Sequence, residues 1–200
     1  MSFAVGVLAS GTGTNLQALL DDPEIDVVAV GSDKPRAQAL ERARAAGVAT
    51  KTFERAAFDS RDARDRAMAD WLTAGGVELV VLAGYMQLVT PGFLACFPDR
   101  VINVHPALLP AFPGLDAVEQ AIAYGVKVMG VTVHYVDEGV DTGPIISQAA
   151  VGVPPGADAE RMRDLLRPLE HALLTGAVRD FARGAVRRDP GHPRRITVDR

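Results

Sequence analysis

The sequence FAVGVLASGTGTNL, residues 3–16, indicates how the chain begins to fold. Residues 3–9 form an apolar run rich in β-branched side chains, which predicts a buried strand. A turn containing glycines follows at residues 10–15, and leucines from Leu16 onward begin a helix. Free backbone N–H groups and the positive end of the helix dipole meet at such a turn, which predicts an anion site. The turn would also suit an ordinary strand-to-helix connection, because it matches neither the GxGxxG nor the Walker pattern.

The next elements repeat the same alternation of strand and helix. Residues 25–31 predict a second apolar strand, and a helix then runs to about residue 46, where Gly47 caps it. Residues 48–53 predict a short third strand. This βαβαβ order predicts parallel strands joined by right-handed crossovers. The fold class predicted is α/β, a single-domain, open, mostly parallel twisted sheet of Rossmann-like type with helices on both faces.

The rest of the chain continues the alternation. The unbroken apolarity of ELVVLA, residues 78–83, predicts a central strand buried on both faces. Pro168 lies inside the last helical pattern and is expected to bend or split that helix. Further helices are predicted at residues 59–74, 116–124 and 157–181, and further strands at residues 130–136 and 145–151.

Composition and charge argue against several classes of protein. The 200 residues suit one domain over residues 1–184, followed by a polar, basic and loosely held tail over residues 185–200. The net charge of −4 argues against a general nucleic-acid binder. The single cysteine, Cys96, excludes an internal disulfide framework and suits a reducing compartment. No apolar run has the length of a membrane span and no secretory signal is evident, so a cytoplasmic protein is expected.

A second informative stretch is VINVHPALLPAFPG, residues 101–114. Asn103 and His105 are two residues apart, so in an extended strand their side chains project from the same face. Three prolines then prevent regular structure and stiffen the loop that follows. A stiff apolar loop with polar groups on one side is typical of a small-molecule pocket. An isolated N-x-H-P would suit a strand end with a polar cap equally well.

The segment NVHPALLPAFPG resembles the signature loop of the folate-dependent formyltransferases, and the resemblance extends over about residues 3–184. Within that family, the chain is most similar to the members that formylate glycinamide ribonucleotide in purine biosynthesis. The resemblance implies a formyltransferase fold with residues 1–184 as the catalytic domain. It also implies 10-formyltetrahydrofolate as the co-substrate and glycinamide ribonucleotide as the acceptor.

The family's D-x-G-P-x-x-x-Q pattern matches DTGPIISQ, residues 141–148, which implies that Asp141 points inward and pairs with His105. Read without the resemblance, this acidic turn would suit a solvated loop. Two positions depart from the family's pattern: Thr142 stands where some members have glycine, and Asp116 stands where many have histidine. The resemblance further assigns the ribonucleotide phosphate and amine to Gly13, Thr14, Asn15 and Glu170, and the folate to Arg61, Met86, Gln87, Leu88, Val89 and Asn103.

Formyl transfer to an amine passes through a tetrahedral oxyanion, which needs a hydrogen-bond donor, a proton carrier and a group that tunes the carrier. Asn103 supplies N–H donors, and His105 is the candidate proton carrier because histidine exchanges protons near neutral pH. Asp141 would orient the His105 ring and favour the imidazolium form. His134 is interpreted instead as a satisfied core or rim histidine. No nucleophile motif or metal-ligand spacing is present, so direct attack by the substrate amine, without a metal, is the simplest route.

Two other functions stay open at this point. A formyltetrahydrofolate hydrolase would use the same three residues with water as the acceptor. A non-catalytic nucleotide-binding module would bind phosphate at residues 11–15 and would give His105 no role. The expected partners are small molecules, with no nucleic acid and no membrane, and the protein is expected to be a monomer or a homodimer.

Overall fold

The structure of the protein is a computed structural model that describes residues 2–199. It divides into two compact units, the first ending at Asn103 and the second beginning at Val104. The elements of the first unit are β1 (Ala4–Leu8), α1 (Thr14–Leu20), β2 (Asp26–Ser32), α2 (Gln38–Ala45), β3 (Ala49–Thr52), a 3₁₀ turn (Arg55–Ala57), α3 (Arg61–Ala74), β4 (Leu79–Leu82) and α4 (Pro91–Cys96). After β5 (Val101–His105), at the boundary, come α5 (Ala117–Tyr124), β6 (Val128–Tyr135), β7 (Ile145–Gly152), α6 (Ala159–Ala182), β8 (Val186–Asp189) and β9 (His192–Val198).

Seven of the strands form one sheet, in the order β3-β2-β1-β4-β5-β6-β7. The pairs β1–β2, β2–β3, β1–β4 and β4–β5 are parallel, and β6–β7 is antiparallel. The predicted α/β fold with a mostly parallel sheet is therefore confirmed. The strand order reverses between β1 and β4, and in such sheets ligands bind beyond the carboxyl ends of the strands at that reversal.

The central strands are buried because their sequences are unbroken apolar runs. Val5, Val7 and Leu8 of β1 have no exposed surface, and all four residues of β4 are buried. A strand covered on both faces needs apolar residues at successive positions rather than at alternate ones. Each such side chain contributes roughly 1.5–3 kcal/mol when it leaves water. This buried core holds the carboxyl ends of β1 and β4, and the loops that follow them, in fixed positions.

Helix α6 runs without a break across Pro168, although the sequence pattern predicts a bend or a split there. Proline removes one backbone hydrogen bond, but Met162 and Leu166 before it and Leu174 after it are fully buried. The apolar contacts on both sides of Pro168 compensate for the missing bond, so the prediction of a split is wrong. At 24 residues α6 is long, yet within residues 2–199 no helix is both long and apolar enough to cross a membrane.

The prediction of a loosely held tail after residue 184 is wrong for the described part of that segment. Strands β8 and β9 form an antiparallel two-stranded sheet. The Arg188 guanidinium lies over the Tyr135 ring at 5.1 Å, and Arg194 donates to the carbonyl oxygen of Thr142 at 3.0 Å. The basic side chains of this segment suggested a loosely held tail. Two of them, Arg188 and Arg194, instead attach the hairpin to the rest of the second unit.

Candidate active site

His105 is the last residue of β5 and is buried, with 5% of its surface exposed. Its Nε2 lies 2.8 Å from the carbonyl oxygen of Phe112, and its Nδ1 lies 3.2 Å from a carboxylate oxygen of Asp141. A carbonyl oxygen and a carboxylate oxygen can only accept hydrogen bonds, so both ring nitrogens are satisfied when both carry a proton. An oxygen that accepts hydrogen bonds therefore faces each ring nitrogen of His105, and the two contacts hold the ring in one orientation.

Asp141 lies between two buried histidines. One of its carboxylate oxygens faces His105, and the other lies 3.5 Å from Nε2 of His134. The backbone N–H of Gly114 also donates to Asp141, at 2.8 Å. Burial opposes ionisation, but the hydrogen bond with His134, the N–H of Gly114 and the charges of both histidines together hold the pKa of Asp141 below its ordinary value. Asp141 is therefore an anion at neutral pH.

His134 is buried with a partner at each ring nitrogen, as the interpretation of a satisfied core histidine expected, and one of these partners is Asp141. Its Nδ1 donates to the carbonyl oxygen of Tyr135 at 2.7 Å, which leaves Nε2 facing Asp141. The signal for this placement is a spacing: Thr132 and His134 are two residues apart in β6, as Asn103 and His105 are in β5. The strand next to β5 thus carries a polar pair of its own, and His134 of that pair faces Asp141.

The loop after His105 is attached to β6 and β7 through Thr132 and Gln148. The buried hydroxyl of Thr132 donates to the carbonyl oxygen of Ala107 at 2.7 Å and accepts from the N–H of Leu109 at 3.1 Å. The amide of Gln148 donates to the Thr132 hydroxyl at 2.9 Å and to the carbonyl oxygen of Leu109 at 3.0 Å. These bonds fix the path of the loop that carries Phe112 back to the His105 ring.

The acidic turn around Asp141 has a backbone that few sequences can adopt. Asp141 itself has φ 53, in the left-handed region, where aspartate is among the tolerated residues. Asp137 accepts hydrogen bonds from the N–H of Gly139 at 3.1 Å and from the hydroxyl of Thr142 at 2.6 Å. A Cβ at Gly143 would lie 1.7 Å from a backbone oxygen, so only glycine fits there. Thr142, a departure from the family's pattern, thus stabilises the turn that presents Asp141.

In the first unit, the turn between β1 and α1 is held against α2. We call residues 10–13 the β1 turn. Gly13 has φ 73, and a Cβ there would lie 2.8 Å from Ala39, so glycine is required both by conformation and by space. Ala39 donates to the carbonyl oxygen of Gly11 at 3.2 Å, and the Arg42 guanidinium donates to that of Thr12 at 2.8 Å. The predicted phosphate residues Gly13, Thr14 and Asn15 are therefore adjacent in an ordered segment at the start of α1.

The segment after β4 lies beside the start of α3. We call residues 84–89 the β4 loop. The Arg61 guanidinium donates to the carbonyl oxygen of Val89 at 3.3 Å, and the apolar side chains of Met86 and Leu88 are about half exposed. The structure thus brings the residues predicted to bind folate in this unit into one region. Four of the predicted folate residues border a cavity of about 470 Å³, whose lining is Arg55, Phe58, Asp59, Ser60, Arg61, Arg64, Met86, Gln87 and Leu88; Val89 and Asn103 are not part of that lining.

A buried ion pair supports the end of the β4 loop. Arg64 and Asp65, both almost fully buried, form a hydrogen-bonded pair with Nε and Nη2 of the guanidinium at 3.0 and 2.8 Å from one carboxylate oxygen. The other oxygen of Asp65 accepts the backbone N–H of Thr90 at 2.7 Å. Because neither residue is singled out by the sequence pattern of α3, this support is visible only in the structure.

Asn103 and Glu170 are the remaining two predicted site residues. Asn103 lies in β5 opposite Leu82 of β4, two residues before His105. Glu170 lies on α6, half-buried, next to His171. Their assignments to the oxyanion and to the substrate amine stay predictions.

The chain matches the family described as formyl transferase over residues 4–178, which is well over half of its length. The chain belongs to the formyl transferase family. The family resemblance inferred from residues 103–114 is thereby confirmed. The prediction that the protein is an enzyme is confirmed as well.

Individual members of the family are similar to this chain over most of its length. A phosphoribosylglycinamide formyltransferase from Mycobacterium tuberculosis is 48% identical over 180 residues, which cover 88% of this chain and 83% of that protein. One from Bacillus subtilis is 42% identical over 180 residues, covering 88% and 92%. Among solved structures, glycinamide ribonucleotide transformylase 1 from Symbiobacterium toebii aligns with a TM-score of 0.94 at 49% identity, covering 98% of this chain and 93% of that one.

Proposed function

We propose that this formyl transferase moves the formyl group of 10-formyltetrahydrofolate to the amine of glycinamide ribonucleotide. The observation that carries the proposal is His105, buried with an acceptor on each ring nitrogen and an ionised Asp141 as one of them. The names of the similar proteins describe a formyl transfer to glycinamide ribonucleotide, and membership of the formyl transferase family supports a formyl-tetrahydrofolate donor. The Asn103, His105 and Asp141 set is what such a reaction needs.

In the proposed mechanism, the substrate amine attacks the formyl carbon directly. An N–H of Asn103 stabilises the oxyanion of the tetrahedral intermediate. The imidazolium of His105 gives its proton to the departing folate nitrogen, and the carbon–nitrogen bond to the folate breaks as the electron pair returns to that nitrogen. The amine proton released in the same reaction restores the imidazolium. Asp141 stays ionised and keeps the His105 ring oriented, so no metal and no covalent enzyme intermediate are required.

The two substrates are assigned to the segments described above. The nucleotide phosphate is placed on the backbone N–H groups of Gly13, Thr14 and Asn15, and Glu170 is placed near the amine. The folate ring is placed along Met86, Gln87, Leu88 and Val89, with Arg61 and Asn103 as further contacts. The half-exposed side chains of Met86 and Leu88 support this assignment, because a flat heterocycle needs apolar surface together with backbone hydrogen-bonding groups.

Further features belong to the same proposal. Residues 1–184 are the catalytic domain, and residues 185–200 a basic C-terminal segment. The enzyme acts in the cytoplasm, as a monomer or a homodimer, on small molecules alone. The net charge of −4 and the free thiol of Cys96 support this setting.

A transferase and a formyltetrahydrofolate hydrolase would share the three residues at the catalytic centre, so the acceptor must be tested directly. The purified protein is supplied with 10-formyltetrahydrofolate labelled in the formyl carbon, with and without glycinamide ribonucleotide. We expect rapid consumption only with the nucleotide, and recovery of the label on its amine. Release of labelled formate at the same rate in both reactions would favour the hydrolase. A nucleotide-binding module would consume no formyl donor and bind no folate.

A further inference from the structure

Ser10 joins the β1 turn to the β4 loop through its backbone and its side chain. The residue is buried, with 3% of its surface exposed. Its N–H donates to the carbonyl oxygen of Gly84 at 3.0 Å, and its hydroxyl oxygen accepts the N–H of Met86 at 2.9 Å. Ser10 therefore makes two bonds to the loop after β4 while it forms the first residue of the turn after β1.

Asp33, one residue beyond β2, completes the link. The Ser10 hydroxyl donates to one oxygen of Asp33 at 2.5 Å, and the amide of Gln87 donates to the other oxygen at 3.2 Å. Hydrogen bonds to a carboxylate are stronger than those between neutral groups. Because the Ser10 hydroxyl donates its proton to Asp33, the lone pairs of its oxygen are free to accept the N–H of Met86. The loops after β1, β2 and β4 thus meet at one carboxylate.

We propose that Ser10 and Asp33 are positioning residues through which the nucleotide and folate sites are held in one arrangement. The inference rests on the proposed function, because it takes the β1 turn to precede the phosphate site and the β4 loop to bind the folate ring. Asp33 touches neither substrate in this account. It acts on the β4 loop through Met86 and Gln87, and on the β1 turn through Ser10. Loss of its carboxylate should therefore weaken both ligands together.

The chain supplies a matched control for this pair. At the opposite end of β2, the Ser2 hydroxyl donates to Asp26 at 2.6 Å. This is a second serine–aspartate bond between the β1 and β2 segments, but it lies at the amino ends of the strands, away from the loops that bind ligands. Asp26→Ala removes the same kind of bond far from the proposed sites. Any change in this variant therefore measures how the loss of a serine–aspartate bond affects folding alone.

The first test needs no substrate. Amide hydrogen exchange is measured by NMR in the wild type, Asp33→Ala and Asp26→Ala. We expect exchange at the Met86 amide to become at least about tenfold faster in Asp33→Ala, since its acceptor is no longer held in place. Exchange at Val81, inside β4, should change by the same small factor in both variants. Unchanged protection at Met86 in Asp33→Ala would overturn the proposal, whether or not the proposed function is correct.

The second test measures dissociation constants for glycinamide ribonucleotide and for tetrahydrofolate by calorimetry. We expect Asp33→Ala to weaken both by about tenfold, the scale of losing one hydrogen bond to a charged group. Asp33→Asn, which keeps one carbonyl acceptor for Ser10, should recover part of the loss. The double variant Ser10→Ala with Asp33→Ala should lose less than the sum of the two single losses, because each single variant already removes the bond between Ser10 and Asp33.

The outcomes separate this inference from the proposed function. A wild type that binds neither ligand would overturn both. A wild type that binds both ligands, with Asp33→Ala weakened for one ligand only or no more than Asp26→Ala, would overturn the inference and leave the proposed function standing. Fully additive losses in the double variant would also overturn it. If Asp33→Ala does not fold, Asp33→Asn and Ser10→Ala carry the same comparisons.

Discussion

At the scale of single residues, the chemistry depends on what surrounds each polar atom of His105 and Asp141. The His105 ring has an accepting oxygen at both nitrogens, and Asp141 has donors at both oxygens. A pair that is buried and hydrogen-bonded in this way keeps its orientation without a substrate. In the proposed mechanism, the His105 ring is therefore already oriented when proton transfer to the departing folate nitrogen begins.

The lowered pKa of Asp141 predicts how stability depends on pH. A carboxylate with a depressed pKa in the folded state stabilises that state fully above the ordinary aspartate pKa, and this contribution is lost as pH falls toward the folded pKa. Asp141→Asn should therefore cost about 1–3 kcal/mol in the free energy of unfolding at neutral pH. The difference from the wild type should shrink below about pH 4.

Urea unfolding between pH 7 and pH 2 provides the measurement. Asparagine tolerates the left-handed backbone at position 141, so the substitution removes charge without adding strain. Asp164→Asn, on the exposed side of α6, serves as the control for removing a carboxylate at the surface. A difference between Asp141→Asn and the wild type that stays constant over this range would contradict the ionised pair.

At the scale of elements, the loop between β5 and α5 keeps its shape through one buried hydroxyl. Thr132 makes three hydrogen bonds from β6, to Ala107, Leu109 and Gln148. The loop carries Phe112, whose carbonyl oxygen contacts the His105 ring. Moving the loop would therefore change the orientation of the ring of His105, the proposed proton carrier.

Thr132→Val keeps the volume of the side chain but removes its hydrogen bonds. We expect a loss of about 1–3 kcal/mol in unfolding free energy from the unsatisfied groups, with kcat reduced by about tenfold, the scale of a displaced proton carrier. Thr175→Val is the matched control, because Thr175 is also buried but its hydroxyl bonds only to carbonyl oxygens of its own helix. Equal effects of the two substitutions on kcat would contradict a role for the Thr132 network in catalysis.

The elements that could be predicted are those whose sequence alone explains their burial. The runs that became β1 and β4 are apolar at successive positions, and the alternation that became β6 was also recognisable. Strands β8 and β9 could not be predicted from their polar composition. They are held by contacts with residues far away in sequence, such as that between Arg188 and Tyr135.

At the scale of the whole molecule, the predicted functional residues come from segments that are distant in sequence, and His105 is the last residue of a strand in the seven-stranded sheet. The family pattern indicated His105, Asp141 and the residues near Arg61 before any contact was known. It could not indicate Asp33 or His134, because their roles depend on which side chain lies opposite them. Those partners are set by the strand order and by the paths of the loops, and neither can be derived from a single sequence.

The central claim is that His105, paired with Asp141, carries the proton in formyl transfer. Its most direct test is the single-turnover rate of formyl transfer by His105→Ala, with 10-formyltetrahydrofolate and glycinamide ribonucleotide both saturating. We predict a rate at least about 10²-fold below that of the wild type, the scale of losing a positioned acid–base group, and losses of the same order in Asn103→Ala and Asp141→Asn. His192→Ala, on the exposed β9 strand, should react at the wild-type rate. An unchanged rate in His105→Ala, with both substrates bound, would contradict the claim.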